Sequence, residues 1–228
     1  MDEEPHIADS RIVYDRSAQR YVEAIGVDIN EQCEASLDRA MLEVFATELA
    51  RSASGIVLDV GCGPGRVAAF LANTLGNHVH DIRGVDLAPA MIAAARAAHP
   101  HLRFEVGSLT HLNVPSGSVV GAAYWYSIIT TPIAELHHVW TELDRVLTPG
   151  GEVLIAFQAG ADSGITRTDA YGSGAPLTLY QHAIESVVAT LTARGFEVVA
   201  QAHRMPQFAH ETHQQAFLVA RRAMHAGG

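Results

Sequence analysis

Four residues at alternate positions of one short segment point to a ligand site: Asp59, Gly61, Gly63 and Gly65. An apolar run over residues 56–60 overlaps the start of this segment and an amphipathic stretch follows it, so we predict a strand, a tight turn and a helix. Glycines are needed in such a turn because the chain reverses sharply and a bulky ligand must contact bare backbone. This order of elements is typical of a nucleotide site.

The spacing of the glycines and a second acid narrow the class of ligand. A dinucleotide fingerprint reads G-x-G-x-x-G, and its third glycine, counted from Gly61, would fall on Arg66. Asp86 ends the next apolar run, about 20 positions after the turn, where a carboxylate accepts hydrogen bonds from the hydroxyls of a ribose. The two features predict a ligand that contains ribose and count against a nicotinamide dinucleotide.

The pattern D-x-G-x-G-x-G over residues 59–65, with Asp86 closing the second strand, resembles that of the class I S-adenosylmethionine-dependent methyltransferases. The resemblance begins near Tyr14 and extends through the last predicted strand. It implies S-adenosylmethionine as cofactor and methyl transfer to an oxygen, nitrogen or carbon nucleophile of a small molecule. It also implies an α/β, Rossmann-like, doubly wound sheet of seven mostly parallel strands, with an antiparallel last strand and N-terminal lid helices.

The resemblance assigns cofactor contacts to individual positions. The glycine turn would hold the methionine part, with Cys62 as a small filler, and Asp59 would hold the amino group. Ser108 stands where relatives usually carry an aspartate that contacts the adenine amino group, and a hydroxyl replaces that contact with less electrostatic gain. The implied cofactor residues are Tyr14, Tyr21, Asp59, Gly61, Cys62, Gly63, Gly65, Asp86, Leu87, Met91, Ser108, Leu109 and Tyr124.

Several of these residues have a second, structural interpretation. Asp59 could instead cap the turn that follows its strand. Leu87 and Met91 could belong to the core between helix and sheet. Tyr14 and Tyr21, seven positions apart and so on one helical face, could be half-buried anchors.

Two residues are candidate catalytic groups on the acceptor side. Tyr126, with Trp125, could form an aromatic wall that excludes water, or could belong to the core. His182 is the candidate general base, because the resemblance implies that its segment lines the acceptor pocket; its alternative is a solvated histidine on a helix surface. Relatives often carry a histidine near Thr130, and its absence here removes another base. A neutral amine acceptor needs no base, whereas a phenol does.

Composition and charge exclude several function classes. The chain has 25 acidic and 15 basic residues and a formal net charge of −10, which disfavours a nucleic-acid partner. The acidic opening and the lack of a long apolar run predict a cytoplasmic protein with no membrane partner. We expect no metal site, because His137 and His138 are adjacent and predicted to point apart on their helix. The oligomeric state stays open between monomer and homodimer.

The order of predicted elements indicates one domain over residues 1–228, with a helical lid over 1–52 and a Rossmann-like core over 53–228. Alternating strands and helices predict a parallel sheet. A helix over 179–194 is predicted after a polar, glycine-rich stretch. The predicted strands are 56–60, 82–86, 102–106, 118–125, 152–158, 196–203 and 214–222.

Two other functions share these sequence features. A nicotinamide-dependent oxidoreductase has the same strand, glycine turn and ribose acid, although Arg66 counts against it. A non-catalytic protein that binds S-adenosylmethionine is suggested by Ser108 and Thr130, which replace polar residues that the resemblance would lead one to expect.

Overall fold

The computed structural model describes residues 4–76 and 80–224. Gly76 and Asn77 are predicted to end the helix that follows the glycine turn, and Asn77 lies outside the described residues. The helices are α1 Pro5–Ile25, α2 Ser36–Arg51, α3 Arg66–Leu75, α4 Pro89–Ala98, α5 Leu136–Val146 and α6 Ile184–Thr192. The strands are β1 Ile56–Val60, β2 Asp81–Asp86, β3 Arg103–Val106, β4 Val119–Trp125, β5 Leu147–Ala159, β6 Ser163–Arg167, β7 Leu177–Gln181, β8 Phe196–Arg204 and β9 Gln214–Arg222. No helix within this described part is long and apolar enough to span a membrane.

Seven strands form one sheet in the order β3-β2-β1-β4-β5-β9-β8, and β9 alone runs antiparallel to its neighbours. This confirms the predicted fold class. The central strand β4 is apolar throughout because helices cover both faces of the sheet. Leu58 and Val60 pack on the α5 side, whereas Val57 packs on the α2 and α3 side, as the two-residue period of a strand requires.

The sheet has its switch point between β1 and β4. The chain moves from β1 outward to β2 and β3, then crosses to β4 and continues the other way. A crevice opens beyond the carboxyl ends of the strands at such a point, and open α/β sheets bind ligands there. The glycine turn follows β1 directly and so lies in this crevice.

Two segments differ from the sequence-based prediction. Residues 177–181 form β7, which pairs antiparallel with β6, and the helix begins only at Ile184. The prediction of a helix over 179–194 was wrong because Leu177 and Leu179 alternate as buried residues, a strand period that a helical pattern obscured. The N-terminal helical region is also interrupted: residues 26–35 form a loop, held by a buried ion pair of 2.6 Å between Glu34 and Arg66.

Candidate functional site

A cavity opens at the carboxyl ends of the central strands, and α1 covers it. The strand ends, the glycine turn, the start of α4 and the lid helix all contribute to its wall. The residues that line it are Ser10, Tyr14, Tyr21, Gly61, Gly63, Asp86, Leu87, Met91, Leu109, Trp125, Tyr126, Ser127 and Thr130. The structure thus brings most of the sequence-predicted cofactor residues to one place. The exceptions are Asp59, Cys62, Gly65, Ser108 and Tyr124, which are not in the wall.

The three glycines of the turn have different reasons to be glycine. All have positive φ, at 76° for Gly61, 52° for Gly63 and 88° for Gly65. A Cβ atom on Gly61 would lie 2.2 Å from the Cβ of Ser127, and one on Gly65 would lie 2.8 Å from the ring of Phe104. A Cβ on Gly63 would meet nothing nearer than 3.9 Å. Close packing therefore requires glycine at two positions, whereas Gly63 leaves free space beside the cavity.

Asp86 connects β2 to the glycine turn. Its Oδ2 accepts the Gly63 N–H at 2.8 Å, and its Oδ1 accepts the Ala88 N–H at 2.9 Å. Burial raises the pKa of the Asp86 carboxyl, and the backbone N–H groups oppose that rise. Because each carboxylate oxygen has a second lone pair, both can accept a further hydrogen bond from a ligand in the cavity.

Asp59 lies behind the glycine turn rather than in the cavity wall. Its Oδ2 accepts the Ala68 N–H at 2.9 Å, near the start of α3. Its Oδ1 is buried and has no partner among the described residues. Burial raises the pKa of Asp59 to about 7. The contact with Ala68 agrees with the capping interpretation, and the free oxygen leaves room for a second, polar contact.

Cys62 and Ser108 both turn away from the cavity. The Cys62 side chain is buried, and burial raises the pKa of its thiol well above the ordinary value, which keeps it protonated. The Ser108 hydroxyl lies 3.0 Å from the Thr110 hydroxyl and accepts the Thr110 N–H at 3.2 Å. Leu109, which lies between Ser108 and Thr110 in the chain, lines the cavity.

Three tyrosines meet above the cavity. The ring centroids of Tyr14, Tyr21 and Tyr171 lie between 5.6 and 5.9 Å apart. Arg20 of α1 donates to the carbonyl of Gly172, so the lid helix is fastened to the loop that carries Tyr171. Sequence reasoning missed Tyr171, since a single tyrosine in a glycine-rich loop carries no periodic signal.

Helix α1 is also fastened to the start of α4. Asp15 of α1 accepts the backbone N–H of Ala90, in the first turn of α4, at 2.7 Å. An acid at a helix N-terminus is favoured by the helix dipole. Ser10, one turn and a half earlier in α1, is a wall residue that sequence reasoning also missed; it is buried and donates to the His6 carbonyl at 2.7 Å.

The end of β4 and the residues after it supply another part of the wall. Tyr126 has a positive φ of 56°, and its ring meets that of Trp125 edge-on at 5.5 Å. Burial raises the pKa of the Tyr126 hydroxyl well above its usual range, so this residue is a poor base. The Trp125 Nε1 and the Ser127 hydroxyl are buried without a partner in the described part of the chain. Both are available to a ligand, and Ser127 was not among the predicted site residues.

Tyr124 and His182 lie in the core. Tyr124 is fully buried against Trp140, at 5.9 Å between ring centroids. His182 is also fully buried, with its Nε2 3.3 Å from the carbonyl oxygen of Ile128, and burial lowers its pKa. The alternative prediction of a histidine on a helix surface was wrong, since His182 follows β7 and bridges to Ala159 before α6 begins.

A buried ion network lies close to Tyr126. Arg204 makes two hydrogen bonds of 2.6 Å to Asp38 and two of 2.6 and 2.7 Å to Glu211. All three side chains are almost fully buried. The network joins the start of α2 to the end of β8 and the loop that follows it, and its charges act on the Tyr126 hydroxyl.

The prediction that His137 and His138 point apart was wrong. Their ring centroids lie 3.8 Å apart. The residues occupy the first turn of α5, where the His137 ring bends back to the Ala134 carbonyl at 2.7 Å. This contact brings the two rings together at the surface, outside the cavity wall.

Comparison with known proteins gives one family. Residues 57–151 match a family described as a methyltransferase domain. The chain is 32% identical over 122 residues to the malonyl-acyl-carrier protein O-methyltransferase of Erwinia billingiae, which covers 54% of this chain and 46% of that protein. The chain spans about half the length of the curated relatives it first matches.

Solved structures share the fold at low sequence identity. Geranyl diphosphate C-methyltransferase from Streptomyces coelicolor superposes with a TM-score of 0.70 at 13% identity, covering 98% of this chain and 100% of that one. The cyclase SpnF superposes with a TM-score of 0.72 at 19% identity, covering 94% and 95%. The first of these structures contains S-adenosyl-L-homocysteine.

Proposed function

We propose that the chain, whose residues 57–151 match a methyltransferase domain, is an S-adenosylmethionine-dependent methyltransferase that methylates an oxygen, nitrogen or carbon nucleophile of a small molecule. The observation that supports this most directly is the pairing of Gly63 with Asp86. The Gly63 backbone borders free space, and the carboxylate that fixes its N–H also faces the cavity. A ribose-bearing ligand needs this combination of bare backbone and acid.

The residues present fit S-adenosylmethionine. Asp86 would accept the ribose hydroxyls, while Leu87 and Met91 would contact the adenine ring and the Leu109 N–H its edge. The free Oδ1 of Asp59 would accept a hydrogen bond from the cofactor amino group, directly or through a water molecule. When bound, the cofactor supplies an electrophilic methyl group on a sulfonium.

The protein contributes alignment and a dry site rather than a base. Tyr126 and Thr130 border the acceptor side, and the tyrosine lid excludes water from it. Tyr126 keeps its proton and His182 is packed behind the wall, so neither accepts a proton from the substrate. Orientation alone is worth roughly 7 to 11 kcal/mol of barrier in well-aligned reactions. We therefore propose an acceptor that is already nucleophilic at neutral pH.

The remaining predictions about context form part of the same proposal. Residues 1–52 act as a lid on a core formed by residues 53–228, in a single domain. The net charge of −10 and the unpaired thiols of Cys33 and Cys62 support a cytoplasmic protein with no nucleic-acid partner. A monomer and a homodimer are both compatible with this proposal.

A second candidate function is binding of S-adenosylmethionine without methyl transfer. It is supported by the Ser108 side chain, which bonds to Thr110 instead of facing the cavity. A structural neighbour named as a cyclase gives the fold a use other than methyl transfer. The two candidates differ only in turnover, because both require the cofactor site.

Calorimetry with S-adenosylmethionine and S-adenosylhomocysteine tests the shared cofactor site. Gly63→Ala should weaken binding at least about tenfold because the added methyl group fills ligand space. The free energy of unfolding should fall by only about 1 kcal/mol, because alanine is strained at a positive φ. Gly76→Ala is the matched control, since Gly76 has a φ of 63° and no atom within 4 Å of its added Cβ. Absence of binding by the folded wild-type chain would overturn the proposal.

Turnover distinguishes the two candidate functions once binding is established. The assay follows transfer of label from methyl-labelled S-adenosylmethionine to a panel of small amines, phenols and carbon acids. Label in any acceptor supports the methyltransferase, with amines and stabilised carbanions expected ahead of phenols. Binding without label transfer across the panel would favour the non-catalytic candidate.

A further inference from the structure

Two histidines and a glutamate come together at the surface where α5 begins, away from the cavity. Glu135 ends the short helical turn before α5, and His137 and His138 lie in the first turn of α5. One carboxylate oxygen and one ring nitrogen from each histidine all lie within 4.8 Å of one another. Adjacent helical positions predicted that the two rings point apart, so no such group was expected here.

The His137 ring is held in the orientation that a metal ligand needs. Its Nδ1 lies 2.7 Å from the Ala134 carbonyl oxygen. A carbonyl only accepts, so Nδ1 carries a proton, and Nε2 is the nitrogen that can offer a lone pair to a metal ion. Metal-binding histidines commonly donate their other ring N–H to such a carbonyl, which fixes both tautomer and ring direction.

The distance between Glu135 and His138 matches one edge of a coordination tetrahedron. Their Oε2 and Nε2 atoms are 3.5 Å apart. Metal–ligand bonds of about 2.1 Å at tetrahedral angles place two ligand atoms about 3.4 Å apart. A ring nitrogen of His137 lies within 4.8 Å of both atoms and is the candidate for a third vertex.

The two imidazoles lie close together, with their planes tilted by 39°. The ring centroids are 3.8 Å apart. Two protonated rings at that distance repel each other, whereas two neutral rings can share one ion. Glu135 lies beside the His138 ring and the Ala134 carbonyl holds the His137 ring next to it, so both rings reach the same patch of surface.

The neighbouring residues add negative potential. Glu4 and Asp9 of the N-terminal region line a surface cavity together with Glu135. All three carboxylates act on His6 in the same cavity, where their charges raise its pKa against a larger lowering by burial. A divalent cation at Glu135 would therefore enter an acidic part of a chain whose net charge is already −10.

We propose that Glu135, His137 and His138 bind one divalent transition-metal ion of the zinc or nickel type, with the remaining coordination positions open to solvent. Two imidazoles and one carboxylate suit these ions, whereas magnesium and calcium prefer oxygen ligands alone. The site lies outside the proposed catalytic cavity, so this inference does not depend on the methyltransferase activity.

Competition between the untagged protein and a chromophoric zinc chelator tests the site. The wild-type chain should bind one Zn²⁺ per chain tightly enough to compete, and His137→Ala, His138→Ala and Glu135→Gln should each weaken that binding at least about tenfold. His101→Ala is the control, because His101 is an exposed histidine outside the group, and it should change nothing. Co²⁺ in place of Zn²⁺ should give visible absorption bands that the three variants lose.

The opposite results are equally definite. Variants that bind Zn²⁺ as tightly as the wild-type chain, or a control that loses binding as they do, would overturn the site. One ion per two chains would overturn it too, since the three ligands lie in one chain. Urea denaturation of each variant checks that it is folded, and exposed side chains such as His138 should leave the free energy of unfolding nearly unchanged.

Discussion

Replacing Asp86 by alanine is the sharpest test of the cofactor assignment. The substitution removes two acceptors that the folded chain uses, for the N–H groups of Gly63 and Ala88. It also removes the acceptors proposed for the ribose hydroxyls. The two losses can be measured separately, because the first acts on stability and the second on affinity.

The expected magnitudes follow from the hydrogen bonds. Each backbone bond contributes about 0.5 to 1.5 kcal/mol, so the free energy of unfolding should fall by about 1 to 3 kcal/mol. A hydrogen bond between a hydroxyl and a carboxylate is worth about 1.5 to 3 kcal/mol, which predicts a Kd for S-adenosylhomocysteine raised roughly tenfold to 150-fold. Asp81→Ala is the matched control, since Asp81 lies at the opposite end of β2 and pairs with Arg83.

Titration calorimetry should compare S-adenosylhomocysteine with its analogue that lacks both ribose hydroxyls. The wild-type chain and Asp81→Ala should bind the analogue more weakly than the parent compound, whereas Asp86→Ala should bind both equally. This cycle isolates the contact from any general damage to the turn. An Asp86→Ala chain that still discriminates between the two ligands would refute the reasoning, whatever its overall affinity.

Three further substitutions test buried groups around the cavity. Burial raises the pKa of Asp59 from 3.8 to about 7, so between these values the folded chain keeps a proton that the unfolded chain releases. The free energy of unfolding should therefore be highest below about pH 4 and fall by about 4 kcal/mol as the pH rises to 7. Asp59→Asn should remove that part of the slope in urea denaturation, and an unaltered slope would contradict the burial argument. Arg204→Met leaves two buried carboxylates unpaired and should cost about 3 to 5 kcal/mol of unfolding free energy, against less than about 1 kcal/mol for the exposed Arg51→Met. Gly61→Ala should lower the free energy of unfolding mainly because its added methyl group collides with Ser127. Adding Ser127→Gly should restore all of that loss except about 1 to 2 kcal/mol, which is the cost of the positive φ. If thermal denaturation shows no recovery, the backbone conformation rather than the collision causes the loss.

The parts of the fold that the sequence predicts are those with a local cause. The glycine turn and Asp86 were identifiable because tight reversal and ribose contact each restrict residue type at a fixed spacing. The segment around Leu179 was misassigned because its apolar residues fit a strand and a helix equally over so few positions. The error about His182 followed from this one, because the predicted helix placed it on a helix surface, whereas it is buried just after β7.

The parts that could not be predicted depend on contacts between distant segments. Arg204 and Asp38 are 166 positions apart, and nothing in either local sequence indicates the partner. Tyr171 reaches the lid tyrosines only because the β6 and β7 strands fold their loop over α1. Tyr124 and Trp125 are adjacent aromatic residues at the end of one strand, and only the packing decides that the second lines the cavity.

Arg66 both counts against a dinucleotide in the cavity and helps to hold the N-terminal helices in place. It stands where the dinucleotide fingerprint needs its third glycine, and its guanidinium bonds the Glu34 carboxylate at 2.6 Å and the Asp28 carbonyl at 3.1 Å. The loop between α1 and α2 is thereby fastened to the start of α3. Its one positive charge is already paired with Glu34, while Asp86 adds an acid that contacts the same turn. A pyrophosphate would meet net negative charge there, whereas a cofactor that carries a sulfonium and an ammonium group would be attracted.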